Sequence, residues 1–117
     1  MYDWSFDEDL VRPTMEMDLR ARRLGYTFKM KKKGRLYHQG KVVACTTLRH
    51  WHGDYVIVLE RLRFTRGVCK GTEEVRLCYW DGRKFGQFAP VLPERELRQL
   101  LRKGKSEGVL KNADWIV

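Results

Sequence analysis

The segment 55–64 constrains the fold more than any other part of the chain. Val56, Ile57, Val58 and Leu59 run together, and Leu62 and Phe64 follow at alternate positions. β-Branched and aromatic residues in so short a run specify a strand rather than a helix. A period of two puts Val56, Val58, Leu62 and Phe64 on one face, and Arg61 and Arg63 on the other with Tyr55. A strand with so apolar a face cannot stand alone; it needs neighbouring strands and a second layer to cover it.

The flanking sequence supplies both. Tyr26, Phe28 and Met30 alternate with Thr27, Lys29 and Lys31, and Lys32, Lys33 and Gly34 form a turn. A strand follows over 35–38, Gln39 and Gly40 break it, and it resumes over 41–48. Gly53 and Asp54 mark a turn, and Gly67 and Gly71 bracket a loop. Val75, Leu77 and Tyr79 alternate with Arg76, Cys78 and Trp80; Asp81-Gly82 is a hairpin turn, and the chain returns over 84–91. Residues 13–24 predict a short helix, with Pro13 and Thr14 at its start, Glu16 and Asp18 early, Arg20, Arg22 and Arg23 late and Gly25 as its stop. A second helix spans 93–103, opened by Pro93, with a stripe of Leu97, Leu100 and Leu101 and a stop at Gly104. Val109, Leu110, Trp115 and Ile116 give the tail at 105–117 residues able to pack. The predicted class is α+β: a twisted antiparallel sheet of four to six strands, a short N-terminal helix and a C-terminal amphipathic helix. Residues 1–12 form an acidic, aromatic, flexible arm, and 13–117 a single domain.

Charge narrows the function classes. The formal net charge of +9 conceals a split: residues 1–18 sum to −5 and the remainder to +14. Between 19 and 53 there are ten bases and no acid. Such a block repels itself unless a polyanion is near, which makes nucleic acid the first partner to consider. Hydrophobic residues at 43% argue against a wholly disordered basic chain. No apolar run approaches the roughly 18 residues of a membrane span, and no basic-then-apolar leader is visible, so no membrane partner is expected. Three cysteines without a Cys-x-x-Cys pair fit a reducing cytoplasm.

No constellation of catalytic residues stands out. His50 and His52 form a His-x-His pair, and Cys45, Cys69 and Cys78 are scattered, which falls short of the four grouped ligands of a closed zinc site; neither metal nor cofactor is expected. A small ribonuclease needs only a base, an acid and an arginine, and His38, His50 or His52 with Glu60 and an arginine offers them as an alternative. The stronger pattern is the interleaving of cations with rings along the strands: Lys29, Lys31, Lys33, Arg35, Tyr37, Arg49, Trp51, Arg61, Arg63, Lys70, Arg76, Trp80, Arg83 and Lys84. A curved sheet with one basic, aromatic face can follow a phosphate backbone while bases stack on its rings. The helix at 93–103 mixes Glu94 and Glu96 with its bases, which disfavours insertion into a duplex groove, so a single strand is the preferred ligand. A third reading is a module whose basic face meets an acidic protein.

The order from 55 to 102 resembles a known family. An apolar strand carrying arginines (56–64) leads through Cys69, Lys70 and Gly71 to a second strand ending in Tyr79, Trp80, Asp81 and Gly82. A short return then precedes the helix of Pro93, Glu94, Glu96, Leu100 and Leu101. This resembles the Whirly-related positive-cofactor coactivators, which bind single-stranded DNA and regulate transcription. The resemblance implies that Lys70, Arg76, Arg83 and Lys84 face the nucleic acid and that the helix at 93–103 joins two copies in a homodimer. The acids and rings of the arm (Asp3, Trp4, Phe6, Asp7, Glu8, Asp9) mimic a nucleic acid, and are expected to lie over the basic face and compete with ligand.

Overall fold

A computed structural model describes residues 13–50, 55–81, 85–86 and 90–117. Its elements run α1 (Pro13–Arg23), β1 (Thr27–Lys32), β2 (Arg35–Arg49), β3 (Val56–Gly67), β4 (Glu73–Trp80), β5 (Phe85–Gly86) and α2 (Glu94–Ser106). The strands form one antiparallel meander in the order β1-β2-β3-β4-β5. The α+β class expected from the sequence is therefore the observed one. The arm at 1–12 and the turn at 53–54 lie outside the described residues. Among those described, no helix is long and apolar enough to cross a membrane.

The expected break at Gln39 and Gly40 is instead a register shift within a continuous β2. An extra residue bends a strand without ending it. A second shift lies between Val42 and Ala44, and a third between Met30 and Lys31 of β1. Gly40 permits a close approach: a methyl group there would lie 2.7 Å from the Phe28 ring and against the Arg63 carbonyl. The bends curl the sheet so far that Arg76 of β4 stands 5.7 Å from the ring centroid of Phe28 on β1, although two strands separate them in the sheet order.

The curled sheet buries both faces of β3. On the α1 side, Val56, Val58, Leu62 and Phe64 pack with Leu19, Phe28, Val42, Cys45 and Cys78. On the α2 side, Ile57 and Leu59 pack with Leu100 and Val109. This corrects the expectation of one apolar face and one open basic face. Ile57 and Leu59 share a face with Arg61 and Arg63, and these two apolar side chains need their own cover.

β1 ends its pairing at Lys41, so the outer edge of β2 from 42 to 49 is closed by other means. Gly25 N–H donates to the Val42 carbonyl (2.8 Å), and Val42 N–H donates to Tyr26 (2.9 Å). Arg20 Nε donates to the Cys45 carbonyl (2.7 Å), and Lys103 Nζ donates to the Thr47 carbonyl. The α1–β1 link and side chains of the two helices thus supply partners that a neighbouring strand would have supplied.

Helix α2 runs past Gly104, the expected stop. A methyl group at Gly104 would lie 2.9 Å from Leu59 Cδ2, so this glycine allows close helix–sheet contact. The stop is Gly108, at φ +78°, where Gly108 N–H reaches the Lys105 carbonyl and Val109 N–H the Gly104 carbonyl. These are the two bonds of a left-handed glycine cap. The cap turns Val109 into the core, where it is fully buried. The expected return strand at 84–91 reduces, among the described residues, to Phe85–Gly86.

Gly40→Ala is expected to lower unfolding stability by about 1–3 kcal/mol through overpacking against Phe28 and Arg63. Urea denaturation checks this: the midpoint should fall while the slope stays unchanged.

Candidate functional site

The basic side chains divide into two populations. The first is held by carboxylates within the fold. Glu60, at the centre of β3 and fully buried, accepts from Arg23 of α1 (Nε to Oε2, 2.6 Å; Nη2 to Oε1, 3.1 Å) and from Arg76 of β4 (Nη2 to Oε1, 2.6 Å; Nε to Oε1, 3.2 Å). Glu73 accepts from Arg61 (3.2 Å), Arg63 (2.9 Å) and Lys111 (3.3 Å). Arg61 also donates to the Val109 carbonyl at 2.7 Å, beneath the C-terminal tail. Glu107 Oε2 takes Arg20 at 2.6 Å.

The second population is the β1–β2 hairpin. Lys29, Lys31, Lys32, Lys33 and Arg35 are all exposed, and none forms an ion pair with a described carboxylate. Gly34 (φ +76°) and Lys33 (φ +52°), both left-handed, close the tight two-residue turn that crowds these cations. Tyr37, 46% exposed, stands among them with Lys32 Nζ 5.7 Å from its ring centroid. Lys32, Lys33, Arg35, Leu36 and Tyr37 line a shallow cleft at the tip. The half-buried His38 ring packs against Tyr37 at 4.1 Å between centroids, tilted by 57°.

The residues singled out from the sequence therefore do not share one face. Lys29, Lys31, Lys33, Arg35 and Tyr37 gather on the hairpin. Arg61 and Arg63 lie on the α2 side and Arg76 on the α1 side, each engaged with a glutamate. Arg49 and Trp80 are half-buried and both stand opposite Val56, on the α1 side. Lys70 is exposed in the β3–β4 turn. Trp51, Arg83 and Lys84 lie outside the described residues. On α2, Leu100 is spent on the sheet, Leu101 is half-buried and Leu97 is 40% exposed.

Among the described residues, which do not include His52, the hydrolytic combination is not assembled. Glu60 is occupied by two arginines, whereas His50 is buried with its Nδ1 3.0 Å from Glu96 Oε1 and its ring stacked 4.5 Å from Tyr55. Tyr55 in turn donates to the Val91 carbonyl at 2.7 Å, tying the approach to α2 back to the sheet. His38 stands by Cys69, Nε2 to Sγ 4.0 Å. Among the described residues no three potential ligands meet in a metal-binding group.

Electrostatics follow the same division. Burial alone would lower the Arg23 pKa, but the hydrogen bond and charge of Glu60 outweigh it and hold the guanidinium more firmly protonated than usual. Burial, reinforced by the charge of Glu60, pushes the Cys45 thiol up to about 12 and Cys78 to about 11. The hydrogen bond from Arg63 holds Glu73 below the ordinary carboxylate range against the opposing effect of burial, with Lys111 assisting.

Sequence reasoning missed the grouping of Arg23, Tyr26, Phe28 and Arg76 around Glu60. The available signal was Glu60 itself, a carboxylate at a core register position between Val58 and Leu62. Comparison of the chain with protein-family models, with curated proteins and with solved structures gives no match.

Two outcomes follow from these shifts. In the folded protein at neutral pH, Ellman's reagent should leave Cys45 and Cys78 until the chain unfolds, because burial both blocks access and keeps them as unreactive thiols, while the partly exposed Cys69 is consumed first. Glu73, with its depressed folded pKa, contributes stability above the ordinary glutamate pKa, lost as pH falls through the folded value. Glu73→Gln should therefore flatten the acid limb of a stability–pH profile measured by denaturant titration.

Proposed function

We propose that this protein binds single-stranded nucleic acid through the β1–β2 hairpin. The observation that carries the reading is the unequal fate of the cations. The fold neutralises Arg20, Arg23, Arg61, Arg63 and Arg76 with its own glutamates, yet places Lys29, Lys31, Lys32, Lys33 and Arg35 along one hairpin with no ion pair to a described carboxylate. Like charges so placed repel one another, and a polyanion relieves that cost by releasing its own condensed counterions. Tyr37 adds an exposed ring at the same tip, suited to a splayed base. A two-stranded tip with one ring suits an unpaired strand better than a base-reading element for a duplex. We place the activity in a reducing compartment, a reading supported by the unpaired Cys45, Cys69 and Cys78.

Fluorescence polarisation with labelled single-stranded and duplex oligonucleotides over a salt series tests this. Each phosphate contact to a single strand contributes about 0.7 to the slope of log K on log salt. The triple variant Lys31→Ala, Lys33→Ala, Arg35→Ala should lower that slope by about 2, and Tyr37→Ala should cost roughly 1–3 kcal/mol of binding. Salt-insensitive binding, or a triple variant indistinguishable from the parent, overturns the reading. Shortening of a labelled RNA during incubation would favour the hydrolytic alternative instead.

A further inference from the structure

The curl of the sheet leaves a cavity of about 480 Å³ between β1 and the β4–β5 edge, lined by Arg23, Tyr26, Phe28, Lys29, Arg76 and Gly86 among others. We propose that this cavity binds a nucleotide phosphomonoester, either a free nucleoside monophosphate or the phosphorylated end of a strand held by the hairpin. The strand-end form rests on the function proposed above; the free-nucleotide form does not.

Three features of the lining support this. First, charge: Arg23, Arg76 and Lys29 bring three positive charges to the cavity, and among the described residues Glu60 beneath them brings one negative charge. Positive charge drawn from water is stabilised by a counter-anion in contact with it. Second, preorganisation: Glu60 holds both guanidiniums by two bonds each, so an arriving phosphate meets groups that are already oriented. Third, flat apolar surface: Tyr26 presents a ring that is 50% exposed, with Arg23 4.4 Å from its centroid, and the buried Phe28 lines the cavity beside it, with Arg76 5.7 Å from its centroid. A base stacks on a ring while its phosphate reaches the cations. The volume falls within the roughly 300–1,000 Å³ usual for small-ligand sites. Cys78 also lines the cavity, but burial and Glu60 keep its thiol protonated, so the lining points to binding rather than to nucleophilic attack.

The probes are AMP, UMP, adenosine and inorganic phosphate, titrated into the full chain by calorimetry and by amide-resolved NMR. At least one of the two monophosphates should bind about tenfold or more tightly than adenosine and than phosphate alone. Its largest amide shifts should fall at Tyr26, Leu77 and Gly86 rather than at the hairpin tip. Arg76→Lys keeps the charge but loses the paired geometry, and should weaken binding about tenfold. Because Arg76 also holds Glu60, Tyr26→Ala and Lys29→Gln provide exposed-site variants that leave the clamp intact, and each should weaken binding severalfold. No binding by either monophosphate, adenosine binding equally well, shifts confined to residues 32–36, or indifference to all three variants overturns the proposal. Oligonucleotides with 5′-phosphate, 3′-phosphate or hydroxyl ends distinguish the sources: a preference for a phosphorylated end assigns the cavity to the strand terminus, and no preference, with monophosphate binding retained, assigns it to the free nucleotide. Monophosphate binding that survives the hairpin triple variant, in a protein that fails to bind oligonucleotides, supports the cavity and removes the hairpin reading alone.

Discussion

One buried carboxylate organises this molecule. Glu60 sits at the middle of the central strand with no exposure to solvent, and a lone charge there would cost several kcal/mol. Its two guanidinium partners come from different elements, Arg23 at the end of α1 and Arg76 in β4. Satisfying the carboxylate therefore fixes where α1 ends, how β4 registers against β3, and which side of the sheet α1 covers. Glu60 also sets the chemistry nearby: it holds Arg23 protonated, and burial, reinforced by the Glu60 charge, keeps the Cys45 and Cys78 thiols neutral.

The curl of the sheet is the second constraint, and it shares residues with the first. Bulges in β1 and β2 and the missing side chain at Gly40 let β1 bend over until Phe28 meets Phe64 edge-on at 5.5 Å and Arg76 lies over its other side. A flat sheet would leave α1 facing a broad apolar surface it is too short to cover. The bent sheet needs only α1 on its concave side, while α2, brought close by Gly104, covers Ile57 and Leu59 on the other. The hairpin tip lies beyond both helices, which is why its lysines keep their exposure while the central arginines find partners within the fold.

Much of this architecture was legible along the chain. The alternation at 26–31 and 74–80, the apolar run at 56–59, and the Pro93 start of α2 each report a local periodicity or a local backbone preference. Gly104 and Gly40 were misread for a common reason: a glycine that ends an element and a glycine that admits a close neighbour are identical in sequence. Gly108, which does end α2, gave the same signal four residues later. The arginines were misassigned for a different reason. Alternation places Arg61 and Arg76 on a face, but says nothing of which glutamate waits there; Glu73 lies 12 residues from Arg61, and Glu60 lies 37 from Arg23.

By itself the sequence determined the class of the fold, the order of its main elements, and an excess of positive charge concentrated between residues 19 and 53. These follow from periodicity, turn chemistry and composition, which are properties of neighbours along the chain. The tertiary structure decided which of those charges remain available. Arg61, Arg63 and Arg76 looked no different from Lys31 or Arg35 as letters, yet the first three are bound to Glu73 and Glu60, and the last two stand exposed on the hairpin. Electrostatic pairing depends on distance in space, and only the curl of the sheet, with the two helices closed around it, sets those distances.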